Sequence, residues 1–276
     1  MTLTREPAVA GAFYPADADD LRSAIKESYL HPLGPGTLQP SEPQKIYGMI
    51  CPHAGYMYSG PVACHSFHAV SGGKYDTFTI VGPNHLGRGR SVAVPVDCSW
   101  KTPLGVVEVD SPTARSLAAS SAAEIDFASH IWEHSIEVQI PMIQHAFGDI
   151  KILPVAMIDQ SKEASINLGH AIAELAGSKS MMIIGSSDLT HYEPATRAYT
   201  QDMSLIKSVV SLDVDGFYET LTGMGVSACG YGAMATVMTA CQDLGATGGR
   251  MLKYATSGHI TGDMDSVVGY CSVVFV

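Results

Sequence analysis

The sequence has few charged residues, and acidic ones outnumber basic ones. Only 16% of the 276 residues are charged, with 16 Lys and Arg against 27 Asp and Glu, which gives a formal net charge of −11. An average globular chain carries about 25% charged residues. Because binding to nucleic acid or to an anionic membrane surface needs clustered Lys and Arg, the charge balance argues against both partners.

Long hydrophobic runs and paired cysteines are also missing. No stretch approaches the roughly 18 apolar residues of a membrane span. The N-terminal region carries charges where a signal peptide needs an apolar segment. The six cysteines include no Cys-x-x-Cys pair. We therefore expect a cytoplasmic protein whose thiols are free and not a disulfide framework.

The chain also lacks internal repeats and any linker that would divide it, so a single domain over residues 1–276 is the simplest prediction. Short apolar runs alternate with helical patterns. Runs such as Ile152–Ile158 and Met181–Gly185 are apolar almost throughout, which is typical of strands covered on both faces. The alternation predicts a three-layer α/β/α sandwich with a central mixed β-sheet. Within it, Ser91–Val96 and Val106–Val109 predict an antiparallel insertion.

Histidine, in contrast, is frequent, with 11 residues, and three of them follow predicted buried strands. Ligands in open α/β sheets bind beyond the carboxyl ends of the strands. His53, His85 and His191 each occupy such a position, so they converge if their strands are neighbours. Two imidazoles and a third ligand form the minimal site for a divalent metal.

Two residues are candidates for the third ligand. Cys229 lies just before the predicted helix Tyr231–Leu244, and Asp188 shares its loop with His191. A thiol at a helix N-terminus is expected to have a lowered pKa, because the helix dipole favours the thiolate. That property suits either a metal ligand or a nucleophile.

The segment His130–His134 matches the HxxEH signature of a zinc protease, which requires one continuous helix. Clear helical periodicity begins only at Ser135. The segment therefore predicts a helix start, with Glu133 favoured by the N-terminal dipole, and not a protease site. The short basic loop Gly87–Arg90 could supply positive charge to an anionic ligand.

Seven motifs occur together in a fixed order along the chain. They are GAFYP at 11–15, PHAGYMYSG at 52–60, GPNH at 82–85, EHSIEVQIP at 133–141, SSDLTHY at 186–192, ACG at 228–230 and YATSG at 254–258. This combination resembles the Memo family and covers nearly the whole chain. That family is similar in fold to class III extradiol ring-cleavage dioxygenases, the LigB-like proteins, which are non-haem iron enzymes.

The resemblance implies a pocket whose residues can be matched in this sequence. The family's pocket histidines match His53 and His85, and its pocket cysteine matches Cys229. Its strand-end aspartate and histidine match Asp188 and His191. The dioxygenases hold Fe(II) with two histidines and a carboxylate, and here Cys229 takes the place of that carboxylate.

Our leading hypothesis is a metal-dependent oxidoreductase. His53, His85 and Cys229 would hold a divalent metal, with iron favoured and copper or zinc as alternatives. Asp188 would orient His191 through its ring N–H, and His191 would act as the acid or base.

The substrate would be a small molecule or a peptide bound in the strand-end pocket. Phe13, Tyr56 and Asn84 would line that pocket. Microbial members of the family are associated with a gene grouping that includes a radical-SAM protein, which implies a protein partner from such a system.

Two alternatives remain open. One is a metal-free hydrolase or transferase in which Cys229 is the nucleophile, His191 its base and Asp188 the orienting group. The other is a non-catalytic module that has kept an enzyme-like pocket and binds a peptide or a partner protein.

Overall fold

Twelve strands and nine helices alternate along residues 3–276, the part of the chain that the computed structural model describes. The strands are β1 (Leu3–Arg5), β2 (Gly48–Cys51), β3 (Thr77–Pro83), β4 (Val92–Val94), β5 (Cys98–Thr102), β6 (Gly105–Val109), β7 (Glu124–Ile125), β8 (Lys151–Met157), β9 (Met181–Ser186), β10 (His191–Glu193), β11 (Gly249–Thr256) and β12 (Val267–Phe275). The helices are α1 (Ala18–Leu30), α2 (Tyr56–Val70), α3 (Ser111–Ser120), α4 (Ile140–Phe147), α5 (Lys162–Ala176), α6 (Ala195–Val210), α7 (Val214–Met224), α8 (Tyr231–Asp243) and α9 (Gly258–Thr261). Two 3-10 turns occupy Ala128–His130 and Glu137–Gln139.

The strands form one mixed sheet in the order β1-β5-β6-β8-β3-β9-β2-β12-β10, with β11 paired to β12 and β4 to β8. The central strands β6, β8, β3, β9 and β2 are parallel to one another. Antiparallel pairs flank this centre on both sides, β5 with β6 and β12 with β2. Because β3, β9 and β2 are neighbours and parallel, the loops that follow them meet at one edge of the sheet.

Helices cover both faces of the sheet, because its central strands are apolar on both sides. In β9, Ile183 packs into the core that includes side chains of α5 and α8. Its neighbours Met182 and Ile184 point the other way, into the core that includes side chains of α1 and α2. Successive strand residues face opposite sides of a sheet, so β9 separates two helical layers. The predicted three-layer α/β/α sandwich with a central mixed sheet is confirmed.

The antiparallel insertion is paired differently from the prediction. β6 pairs with β5, which the sequence did not predict as a strand. The polar residues Ser99 and Lys101 interrupt its apolar pattern, although Trp100 between them is buried. β4 pairs instead with β8. Within residues 3–276, no helix combines the length and the hydropathy needed to cross a membrane.

Candidate metal centre

The loops that follow β2 and β3 bring His53 and His85 together. His53 lies two residues after the end of β2, and His85 lies two residues after the end of β3. Their ring centroids are 5.3 Å apart, with the rings nearly perpendicular. His53 is buried, whereas His85 is partly exposed at the edge of the sheet. The two strand-end imidazoles therefore converge as the sequence predicted.

A third imidazole comes from His134, which does not follow a strand but lies between the two 3-10 segments. Its ring stacks on His85 at 4.5 Å and lies edge-on to His53 at 5.4 Å. One ring nitrogen from each of the three histidines lies within 4.8 Å of the other two. This group of three could hold a metal ion.

The predicted helix start at His130–His134 is wrong, although the rejection of the protease helix is correct. Residues 131–136 form bends, irregular backbone and one turn between the two 3-10 segments, and no helix. Glu133 contacts His85 instead of favouring a helix dipole. Sequence reasoning missed His134 because it treated the two histidines as a pair, and the Glu-His dipeptide of the family motif was the available signal. His130 is fully buried, with its ring 5.7 Å from Trp100.

Glu133 anchors His85 through both carboxylate oxygens. Oε1 lies 2.9 Å from His85 Nδ1 and accepts the Ser135 N–H at 2.8 Å. Oε2 accepts the backbone N–H of His85 at 2.6 Å. Burial favours the protonated form, but the hydrogen bond and charge of His85 outweigh it, and the pKa of Glu133 falls to about 2. Glu133 is therefore a carboxylate at neutral pH.

Burial keeps two of the imidazoles neutral. It lowers the pKa of His53 well below its usual value, and the neighbouring His134 and His85 lower it further. The pKa of His134 falls to about 4, mainly through burial, although the Glu133 carboxylate opposes the shift. Neutral imidazole is the form that binds metals, so both rings are available as ligands at neutral pH.

Cys229 lies against His53, with Sγ 3.0 Å from Nε2. The backbone N–H of Asp188 also donates to Sγ, at 3.3 Å. The expected lowering of the thiol pKa is wrong, because burial and the nearby Asp188 carboxylate raise the pKa of Cys229. Cys229 lies outside the three-histidine group, yet its sulfur meets a ring nitrogen of that group.

Asp188 and His191 lie near the histidines but do not form the predicted hydrogen bond to each other. Asp188 Oδ1 accepts the backbone N–H of His53 at 2.8 Å. His191 Nδ1 lies 3.0 Å from the carbonyl oxygen of Ser227, because β10 turns this ring towards the segment before Cys229. Burial raises the pKa of Asp188 to about 6, against the opposing hydrogen bond from His53.

The three residues predicted to line the pocket take different positions. The ring of Phe13 lies 4.7 Å from that of His134. Tyr56 is buried, and its hydroxyl donates to the carbonyl oxygen of Val138 at 2.7 Å. The amide of Asn84 is hydrogen-bonded to the backbone of the turn that follows it. Phe13 thus contacts the histidine group, whereas the polar groups of Tyr56 and Asn84 are used within the scaffold.

Phe13 and Tyr56 also line a cavity of about 440 Å³ beside the histidine group. Its other walls come from the segment 11–15, from α1 and from the start of α2. Pockets for small ligands typically measure about 300–1,000 Å³. The cavity therefore has the size of a small-molecule site, and Phe13, which lines it, also contacts His134.

Comparisons with known proteins agree along nearly the whole chain. A family model described as Memo-like protein matches residues 5–274. A MEMO1 family protein of Nitrosopumilus maritimus is 48% identical and aligns over 99% of this chain and 100% of its own length. One from Methanopyrus kandleri is 41% identical, over 99% of both chains. An uncharacterised protein of Escherichia coli K12 has a crystal structure that covers 84% of this chain and 100% of its own, with a TM-score of 0.54 at 14% identity, which supports the fold alone.

Proposed function

The chain belongs to the Memo family, and we propose that its strand-end pocket binds a divalent transition metal through His53, His85 and His134. The observation that carries this proposal is the convergence of one ring nitrogen from each residue within 4.8 Å. Three imidazoles form a donor set used by zinc, copper and iron sites. His134 thus joins the two histidines that the sequence predicted.

We propose Cys229 as a fourth donor. Its Sγ lies 3.0 Å from Nε2 of His53 but outside the group of three rings, so binding the same metal would require the sulfur to shift towards His85 and His134. Coordination would ionise the thiol despite its raised pKa, because a bound cation favours the thiolate. Imidazole and thiolate donors favour iron, copper or zinc over magnesium or calcium. We place iron first because of the family's similarity in fold to non-haem iron dioxygenases.

The activity we propose is that of a metal-dependent oxidoreductase acting on a small molecule or peptide. The metal would supply Lewis-acid or redox chemistry when bound. Asp188, whose pKa is raised by burial, can hold or release a proton beside the histidines. His191 can exchange a proton at Nε2, because Nδ1 is occupied by Ser227. Phe13 packs against one side of His134, with the ring centroids 4.7 Å apart.

A second candidate function is supported by the contact between Cys229 and His53. An imidazole nitrogen 3.0 Å from a thiol can act as its general base. The base in a metal-free hydrolase or transferase would therefore be His53, and not His191 as the sequence suggested. Asp188 would not orient this ring, because Nδ1 of His53 lies against Ser186.

The metal content of protein prepared without oxygen distinguishes the two functions. We expect stoichiometric metal in the wild type and its loss in the His85→Ala and His134→Ala variants. His170→Ala is the matched control, because this exposed histidine contacts Asp243 away from the pocket. Unchanged metal content in both pocket variants would refute the metal site. A rate of Cys229 alkylation that changes with neither added metal nor chelator would favour the metal-free function in which Cys229 is the nucleophile.

A further inference from the structure

The hydrogen bonds around His85 determine which ring nitrogen carries its hydrogen. Nδ1 faces Oε1 of Glu133 at 2.9 Å, and both oxygens of that carboxylate already accept backbone N–H groups. A carboxylate oxygen in this setting accepts and does not donate. Nδ1 must therefore carry the hydrogen, which leaves the lone pair of the neutral ring on Nε2.

The hydrogen bonds around His53 give the same result by a different route. Nδ1 lies 3.0 Å from Oγ of Ser186. That hydroxyl has a single hydrogen, and it points to the carbonyl oxygen of Ser135 at 2.6 Å, which can only accept. The lone pairs of Oγ remain, and one of them accepts the Nε2–H of Gln139 at 2.8 Å. His53 Nδ1 must donate to the other, so its lone pair is also on Nε2.

The orientation of the Gln139 amide is fixed as well. Its Nε2 lies 3.0 Å from the carbonyl oxygen of Pro52 and 2.8 Å from Oγ of Ser186. Since a carbonyl oxygen cannot donate, this end of the amide must be the NH₂ group. Gln139 and Ser186 are both almost fully buried, so water does not compete for these contacts.

One residue, Ser135, joins the two arrangements. The N–H of Ser135 donates to Glu133, and its carbonyl oxygen accepts from Ser186. Nε2 of His53 faces the pocket, since it meets Cys229. The scaffold therefore binds the Nδ1 side of both rings, while Nε2 of His53 contacts only the thiol of Cys229 among the hydrogen-bond partners of that ring.

We infer that Glu133 and Ser186, the latter held by Gln139, are positioning residues that fix the tautomers of His85 and His53 for metal binding through Nε2. The role in metal binding rests on the proposed function, whereas the tautomers follow from the hydrogen bonds alone. Residues that orient metal-binding histidines typically affect metal affinity about 10–100-fold. Neither Glu133 nor Ser186 needs to touch the metal to have this effect.

Two-bond ¹H–¹⁵N spectra of the metal-free protein test the tautomers directly, in mildly alkaline buffer where imidazole is neutral. We expect the Nδ1–H tautomer for both His53 and His85 in the wild type. Ser186→Ala should disturb the pattern of His53 and not that of His85, and Glu133→Gln that of His85 and not that of His53. The matched control is Ser66→Ala, which removes an equally buried hydroxyl bonded to Ile50 and Ser272 and to no histidine.

Zinc affinity, measured by competition with a chelating dye, gives the second readout. We expect Ser186→Ala and Glu133→Gln each to weaken zinc binding by about 10–100-fold, with Ser66→Ala unchanged. The inference is overturned if wild-type His53 or His85 carries its hydrogen on Nε2, or if both variants bind zinc as the wild type does. A wild type that binds no metal would refute the proposed function, while the ring spectra would still decide the tautomers.

Discussion

Replacing Glu137 with alanine should strongly destabilise the protein by releasing its N-terminal segment. Glu137 is fully buried, and its carboxylate accepts from Arg5 Nη1 at 2.6 Å and from the Tyr14 hydroxyl at 2.6 Å. It also accepts the backbone N–H groups of Ala8 at 2.8 Å and Val9 at 3.0 Å. The side chain of Glu137 thus holds residues 5–14 against the 3-10 segment Glu137–Gln139.

The magnitude follows from the burial of the ion pair. Arg5 is almost completely inaccessible to solvent, so Glu137→Ala would leave a buried guanidinium without its counter-charge. Breaking a buried pair by removing one partner costs about 3–5 kcal/mol. The exposed pair between Lys101 and Glu6 is the matched control, because Glu6→Ala should cost only about 0–1 kcal/mol.

Urea unfolding followed by circular dichroism measures both changes in the free energy of unfolding. We expect a loss of about 3–5 kcal/mol for Glu137→Ala and a near-native midpoint for Glu6→Ala. The released segment carries Phe13, so the ring signals of its neighbour His134 should shift in the first variant only. A loss in Glu137→Ala no larger than that in Glu6→Ala would refute the reasoning.

Three further predictions concern pH, packing and metal. Burial lowers the pKa of His130 to about 3, from 6.5. The folded protein keeps this ring neutral while the unfolded chain protonates it, so its contribution to stability is present above about pH 6.5 and about 2 kcal/mol is lost by about pH 5. His130→Leu should flatten this slope in urea unfolding across pH, and parallel slopes would contradict it. Gly230→Ala should lower stability, since a Cβ there would lie 2.3 Å from the carbonyl oxygen of Ser186. Gly223→Ala, where nothing lies within 4 Å, is its control, and equal unfolding midpoints would exclude the clash. At a free metal concentration about 100 times the dissociation constant, bound metal should raise the free energy of unfolding by about 2.7 kcal/mol. A chelator should remove this gain, and an unchanged unfolding midpoint would argue against a metal site in the folded state.

The sheet, and the two histidines that follow its strands, could be predicted because both depend on the local pattern of apolar residues. The central strands are apolar on both faces, and parallel neighbours place the loops that carry His53 and His85 at one edge. His134 could not be found this way, because it lies in irregular backbone between two 3-10 segments, where no periodicity exists. Its place depends on the contact of Glu133 with His85, which is 48 residues away along the chain.

Errors at Cys229 and His191 have a common cause. The helix that follows Cys229 predicts a lowered thiol pKa, but burial and the Asp188 carboxylate raise it. The loop that His191 shares with Asp188 predicts a contact between the two side chains, but the ring of His191 contacts Ser227, which lies 36 residues away along the chain. Both errors arise from tertiary neighbours that adjacent sequence does not reveal.

X-ray absorption of the zinc-loaded protein tests the central claim most directly. We predict imidazole nitrogens at about 2.0–2.1 Å from the metal, with one fewer in His134→Ala, and a sulfur at about 2.3 Å that disappears in Cys229→Ser. A spectrum without imidazole scattering, or one identical in the wild type and in His134→Ala, would contradict the three-histidine site.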